Sequence, residues 1–273
     1  MIGRVGRKTV QLWHLIKLRL GYDKPPLKIG SPLYRYARRN LAEASKLIHL
    51  PHPLNTVLRD EEDVSRAELT LAALRLRYAY DYAKKVWDGY RMFAIAIKVG
   101  SRHARIFDAG SGPHSNVLDW LQLYGFKNLY ACDILLRHEY RYGHINYYRQ
   151  DITKTTFPSA FFDFIISQSV IEHGVDCMRF FEECSRLLKP HGLLLISTDF
   201  WYQPIDTSGV MLYGRPWRIF TPRDIDLLVT QAKGSGLSLL EPIDIQKPSQ
   251  VVPVIENQGR RYTFCFFALK KEK

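Results

Sequence analysis

The chain has 273 residues, 46% of them hydrophobic and 24% charged, with a formal net charge of +12. That size and balance suit one large domain, or a domain with an extension, and exclude bulk disorder. The charge is lopsided: residues 1–105 hold 21 Lys and Arg against 9 Asp and Glu, whereas 106–273 hold 18 of each, so the excess suggests either an anionic partner for the first third or a solvated basic helical surface.

The first 22 residues place Leu12, Trp13, Ile16 and Leu20 on one side of a helix among Arg4, Arg7, Lys8, Lys17 and Arg19. Such a helix suits peripheral contact with an anionic membrane, or packing on the protein's own core. His14, Lys17 and Arg19 interrupt what would be the apolar core of a signal peptide, and no run of roughly 18 apolar residues predicts a membrane span. The four cysteines, Cys132, Cys177, Cys184 and Cys265, form no Cys-x-x-Cys pair and no zinc spacing, and read as free thiols. The expected location is cytoplasmic, with membrane-peripheral contact as its variant.

Prolines and glycine make residues 23–33 a loop, and a short helix is expected over Tyr34–His49. Asp60-Glu61-Glu62-Asp63 opens a long helical pattern, expected from Val64 to Ile97 with Gly89 as its weak point and Gly100 as its stop. Residues 1–100 thus read as a basic helical extension and 101–273 as the principal domain.

From residue 104 strands and helices alternate, as in a parallel α/β sheet. The expected strands are Ala104–Ala109, Asn128–Cys132, Ile145–Arg149, Phe162–Gln168, Gly192–Thr198, Leu237–Pro242 and Tyr262–Leu269; the expected helices are Ser115–Tyr124, Leu135–Tyr140, Asp176–Leu188 and Pro222–Gly234. The last two strands have no helix between them, which permits an antiparallel pair.

The first of these strands runs into Asp108-Ala109-Gly110-Ser111-Gly112, whose glycines permit a tight turn and a close backbone approach to a ligand. Asp133 ends the next strand, where a carboxylate can accept from two ribose hydroxyls, and Asp151 follows the third, where it can accept from an adenine amino group while Ile152 packs on the ring. Each acid alone is more often a cap or turn residue. Three in register above consecutive strands mark the crevice where this architecture binds ligands. A dinucleotide fingerprint needs a third glycine where Ser115 stands, and no Gly-Lys-Ser/Thr of a P-loop is present.

With Ser169-Val170-Ile171-Glu172-His173 and Arg186-Leu187-Leu188-Lys189-Pro190-His191-Gly192, these motifs give residues 104–273 a resemblance to the class I S-adenosylmethionine-dependent methyltransferases. The resemblance implies a Rossmann-like doubly wound seven-stranded sheet whose last strand is antiparallel. It implies S-adenosyl-L-methionine as cofactor, with Asp108 and Gly110 bordering its methionine part, Asp133 on the ribose and Asp151 and Ile152 framing the adenine; Gly112, Ile134 and Gln168 complete the expected cofactor set. The chain departs from the family at His114, where a third glycine is frequent, and at Pro190-His191-Gly192, where Pro-Gly-Gly is usual.

Transfer to a hydroxyl needs a base or a placed hydrogen-bond acceptor. His173 is the first candidate and Asp199 the second, with Asp206 behind it; Glu172 and His173 bracing the next helix is the competing reading. Some relatives bind a divalent metal through Glu-x-x-Glu-His, but Ser169 replaces the first acid here and no metal is expected. The aromatic loop from Asp199 to Phe220 suits a small or glycan-like acceptor, lipid-linked if the basic helices meet a membrane. The alternative is RNA methylation with the N-terminal region holding phosphates, although no Asn-Pro-Pro-Tyr-type tetrapeptide follows the fourth strand. A non-catalytic partner subunit is disfavoured by the intact acids at 108, 133 and 151.

Overall fold

The computed structural model describes residues 35–36, 38, 40–76, 83–112, 115–246 and 255–273. The basic stretch 1–22, with its expected membrane contact, and the loop 23–33 lie outside them. In chain order the elements are α1 (Leu41–Leu47), β1 (Thr56–Val57), α2 (Glu61–Ala73), a 3-10 turn (Ala83–Lys85), α3 (Val86–Val99), β2 (Arg105–Ala109), α4 (Asn116–Leu123), β3 (Asn128–Cys132), β4 (Tyr140–Tyr142), β5 (Ile145–Tyr148), β6 (Phe162–Gln168), α5 (Cys177–Leu187), β7 (Leu188–Phe200), β8 (Met211–Leu212), β9 (Arg215–Pro216), α6 (Pro222–Gly234), β10 (Leu237–Leu239), β11 (Ile255–Asn257) and β12 (Arg260–Lys271).

The main sheet runs β1-β12-β7-β6-β2-β3-β5-β4, with β10 and β11 also paired to β12. Strands β7, β6, β2, β3 and β5 are mutually parallel, and β12 lies antiparallel between β7 and β10. All seven expected strands form, and the last is antiparallel as expected. Short β1, β4 and β11 extend the sheet.

Alternation along the strands builds two cores. Ile106, Ile166, Leu195 and Phe266 face a cluster with Trp87, Phe93 and Trp120 of α3 and α4. Their neighbours Phe107, Ile165, Leu194 and Phe267 face a second cluster with Phe180, Phe181 and Leu228 of α5 and α6. Helices therefore cover both faces, the doubly wound arrangement. Helix caps follow the sequence: Ser115 accepts from Leu118 N at 3.0 Å, Asp60 from Asp63 N, Asp176 from Arg179 N, and Thr221 with Asp224 forms a capping box.

Three expectations fail. The long helix over Val64–Ile97 is two helices: α2 ends at Leu74, and Arg75 turns left-handed at φ 54°. Gly89 is not the break but lies inside α3, packed so closely that a Cβ would sit 3.2 Å from Gln168 Nε2. The helix expected over Leu135–Tyr140 does not form. Asp133 instead takes the Leu135 N–H at 2.7 Å, and Tyr140 enters β4 and stacks on Tyr147 with centroids 4.5 Å apart. Strand β7 begins at Leu188 rather than Gly192, because a register shift at the His191 turn (φ 64°) lets pairing with β6 start earlier.

Among the described residues no helix is long and apolar enough to cross a membrane. A cleft of about 800 Å³, lined by Leu50, Leu54, Val99, Phe164, Leu193 and Lys270 among others, opens beside the amino ends of β2 and β6. It contains none of the expected site residues.

Candidate functional site

Two groups of side chains meet at the carboxyl edge of the parallel strands. The first surrounds the turn after β2. Gly110 has φ +85° and donates its N–H to Cys132 O at 2.8 Å. A Cβ there would lie 2.4 Å from Val170 Cγ1, so both backbone angle and space demand glycine. Gly112 N donates to Asp133 Oδ2 at 3.0 Å, and the same carboxylate's Oδ1 accepts from Leu135 N. Asp133 thus braces the turn and keeps lone pairs for a ligand.

Asp108 is buried and its Oδ1 has no hydrogen-bond partner. Burial raises its carboxyl to about 7, aided by the Asp133 charge and opposed by the Ser115 hydroxyl. A carboxyl with an orphaned oxygen in that position asks for a cationic or donor group from a ligand. Beyond β5, Asp151 is exposed and its Oδ1 accepts from Thr153 N and Oγ1, both at 2.8 Å. Ile152 is buried in the second core cluster, and Ile134 is 42% exposed. The three acids stand above β2, β3 and β5, which are adjacent in the sheet.

The second group lies at the ends of β6 and β7. Ser169 turns left-handed at φ 52°, and His173 N closes the next turn onto Val170 O. Nδ1 of His173 is buried without a hydrogen-bond partner. Burial lowers its pKa to about 4, with Asp199 raising it and Lys85 lowering it, so the ring is neutral near pH 7. Tyr213 meets it edge-on, with centroids 5.2 Å apart. Asp199, at the end of β7, accepts from Trp217 Nε1 at 2.8 Å, and burial raises it to about 6 despite the nearby Lys85 ammonium. Glu172 is fully buried: Oε2 accepts from Thr198 Oγ1 at 3.0 Å, and Oε1 has no partner. The aromatic loop closes over this group through Arg218 N, which donates to Glu172 O at 2.9 Å.

The sequence-predicted residues divide accordingly. Asp108, Gly110, Gly112, Asp133, Ile134, Asp151 and Ile152 gather round the glycine turn and neighbouring strand ends, and His173 and Asp199 gather beside it. Gln168 is different. Its Nε2 donates to Lys85 O at 3.0 Å and Asp88 Oδ1 at 2.7 Å, so its amide hydrogens are spent holding α3 rather than offered to a cofactor. Asp206 is exposed and caps its own turn through Ser208 N. Sequence reasoning missed Lys85, Asp88 and Trp217. The available signal was an acid, Asp88, inside the mostly apolar Val86–Ala96 run.

Asp88 is fully buried and accepts from Gln168 Nε2, Ser197 Oγ at 2.6 Å and Gly89 N at 2.8 Å. An Asp88→Ala change strands these donors, and urea unfolding is expected to register a loss of about 2–4 kcal/mol.

The family model for the methyltransferase domain matches residues 107–196, from the Asp108 turn through β7. Two curated relatives from strains of Mycobacterium tuberculosis, each named a probable S-adenosylmethionine-dependent methyltransferase, are 36% identical over 58 residues. That match spans 21% of this chain and 21% of each relative's length. Residues 107–196, about a third of the chain, are thus similar to a methyltransferase domain.

Solved structures agree on the fold. A chain in the complex of the Haloferax volcanii Trm112 methyltransferase activator aligns over 79% of this chain and all of its own, with TM-score 0.51 and 13% identity. The [4+2]-cyclase SpnF aligns over 78% of this chain and 93% of its own, with TM-score 0.50 and 13% identity. A cyclase on this scaffold shows that the fold does not by itself dictate the reaction.

S-adenosylmethionine, the cofactor that the resemblance implies, fits the residues present. Asp108 offers its orphaned oxygen to a positively charged ligand, Gly110 leaves the space a Cβ would fill, and Asp133 retains acceptor capacity for hydroxyls. Such a ligand favours ionised Asp108, so binding is expected to release a proton. Calorimetric affinity should rise with pH up to about 7 and flatten above it. For the free protein the sign is opposite: the folded state retains a proton that the unfolded chain loses near pH 4, so Asp108 makes stability fall as pH rises through about 7.

Proposed function

We propose that the chain is an S-adenosylmethionine-dependent O-methyltransferase acting on a hydroxyl-bearing small or glycan-like acceptor, with residues 101–273 as its catalytic domain and 1–100 as a basic extension. One observation carries the reading: the neutral, unpartnered Nδ1 of His173, buried beside Asp199 next to the glycine turn. Glu172 Oε1 and Asp199 Oδ1 also accept no hydrogen bond. Buried acceptors left without hydrogen bonds call for a hydroxyl-bearing ligand.

When bound, S-adenosylmethionine supplies an electrophilic methyl group on a sulfonium. His173 takes up the acceptor hydroxyl's proton at its free nitrogen, and ionised Asp199 favours the charge that the ring then gains. Trp217 holds Asp199 in place, and Tyr213 with the loop above it limits water. Ile134, Asp151 and Ile152 line the adenine end.

The test is release of S-adenosylhomocysteine with panels of free sugars, lipid-linked glycans and structured RNA. Turnover confined to the sugar or glycan panels supports the reading. Turnover on RNA alone, with tight salt-sensitive binding that needs residues 1–100, replaces it with the nucleic-acid reading.

A further inference from the structure

Lys85 stands where the N-terminal helices meet the ends of β6 and β7. It is the N-cap residue of α3, and its carbonyl accepts from Gln168 Nε2. Its ammonium donates to Ser169 Oγ, lies 3.5 Å from Asp199 Oδ1 and sits 4.0 Å from the centre of the Phe264 ring. The two charged side chains are 19% and 5% exposed, so solvent screens the pair weakly. Main chain and side chain of one residue are therefore both fastened to the turn that carries His173.

The charge balance makes this contact consequential. Asp88 on α3, Glu172 after β6 and Asp199 on β7 are all buried, and the Lys85 ammonium draws on all three. Asp88 is satisfied by its three donors. Asp199 faces Lys85, Glu172, His173 and the Trp217 indole, and of these Lys85 does most to counter the burial that favours its neutral form. Removing the ammonium takes from these buried carboxylates the cation that does most to offset their burial.

We propose that Lys85 is a positioning residue of the transfer site: its ammonium holds Asp199 beside His173 and anchors α3 to the turn after β6. The inference rests on the reading of His173 and Asp199 as the acceptor-facing pair. Lys85 then acts through Asp199: a carboxylate kept ionised at neutral pH favours the protonated form of His173, and one allowed to protonate does not.

The test is carbon-13 NMR titration of the full-length protein with labelled aspartate carboxyls, Asp199 being assigned by Asp199→Asn. S-adenosylhomocysteine affinity is measured in parallel by calorimetry. In the unsubstituted protein Asp199 titrates near 6. Lys85→Gln is expected to move it upward by about one pH unit or more, and Lys85→Arg to restore most of that shift. Lys85→Met keeps an apolar stem beside the Phe264 ring and likewise lacks the charge; that variant decides the matter if Lys85→Gln does not fold. An Asp199 midpoint unchanged in a folded Lys85→Gln or Lys85→Met protein overturns the proposal. Failure of the unsubstituted chain to bind S-adenosylhomocysteine overturns the methyltransferase reading instead, while the Asp199 titration still judges Lys85.

Discussion

His173→Ala is expected to lower turnover by roughly 10²–10⁴-fold while cofactor affinity stays unchanged. The ring sits beside the aromatic loop and takes no part in the Gly110–Asp133 turn, so its loss removes a proton acceptor without disturbing the hydrogen bonds that shape the cofactor crevice. Single-turnover rates and calorimetry on the same variant check the two halves separately. The pH profile adds a second reading. Asp199 loses its charge below about 6 and then no longer favours a protonated His173, so the unsubstituted enzyme should lose rate on the acid side near 6. An unchanged rate in the alanine variant would return His173 to the role of a helix brace and leave Asp199 as the base.

Gly110→Ala is expected to destabilise the protein and abolish cofactor binding together. An L side chain at φ +85° costs roughly 1–2 kcal/mol from the left-handed backbone alone. Forcing a methyl group to 2.4 Å from Val170 Cγ1 adds about 1–3 kcal/mol of overpacking. The strain is relieved by moving the turn, and the turn carries the Gly112 N–H that orders Asp133. Thermal denaturation reads the first effect and calorimetry the second. Val170→Ala in the same chain removes the atoms struck, so the pair should be less than additive, with stability partly regained and binding still impaired by the backbone term.

Much of this was legible before any coordinates. Phe107, Ile165, Leu194 and Phe267 sit in continuous apolar runs, which is how strands buried on both faces read. The glycines and acids at 108, 110, 133 and 151 follow those runs at intervals set by strand length and crossover, so their gathering at one edge is a consequence of parallel topology. The elements that misled were those decided by non-local partners. The 64–97 pattern is helical throughout by local spacing, yet it breaks at Leu74–Leu76. Residues 135–140 carry helix-permissive side chains, yet Tyr140 finds a stacking partner in Tyr147 across a strand pair.

What the sequence by itself determined is the order and kind of the strands and the acid-and-glycine set at their carboxyl ends, because both depend on periodicity and on residue types that only certain turns admit. What the tertiary structure decided is the acceptor side. Lys85, Asp88, Gln168, Glu172, Asp199 and Trp217 come from four separate stretches of chain, and the protonation of the three acids depends on how deeply the fold buries them and which charges it sets beside them. Burial and proximity across the sheet edge leave no periodic trace: His173 and Asp199 could be named from their places after the fourth and fifth expected strands, but the charges set beside them, Lys85 above all, became visible only when the chain was closed around them.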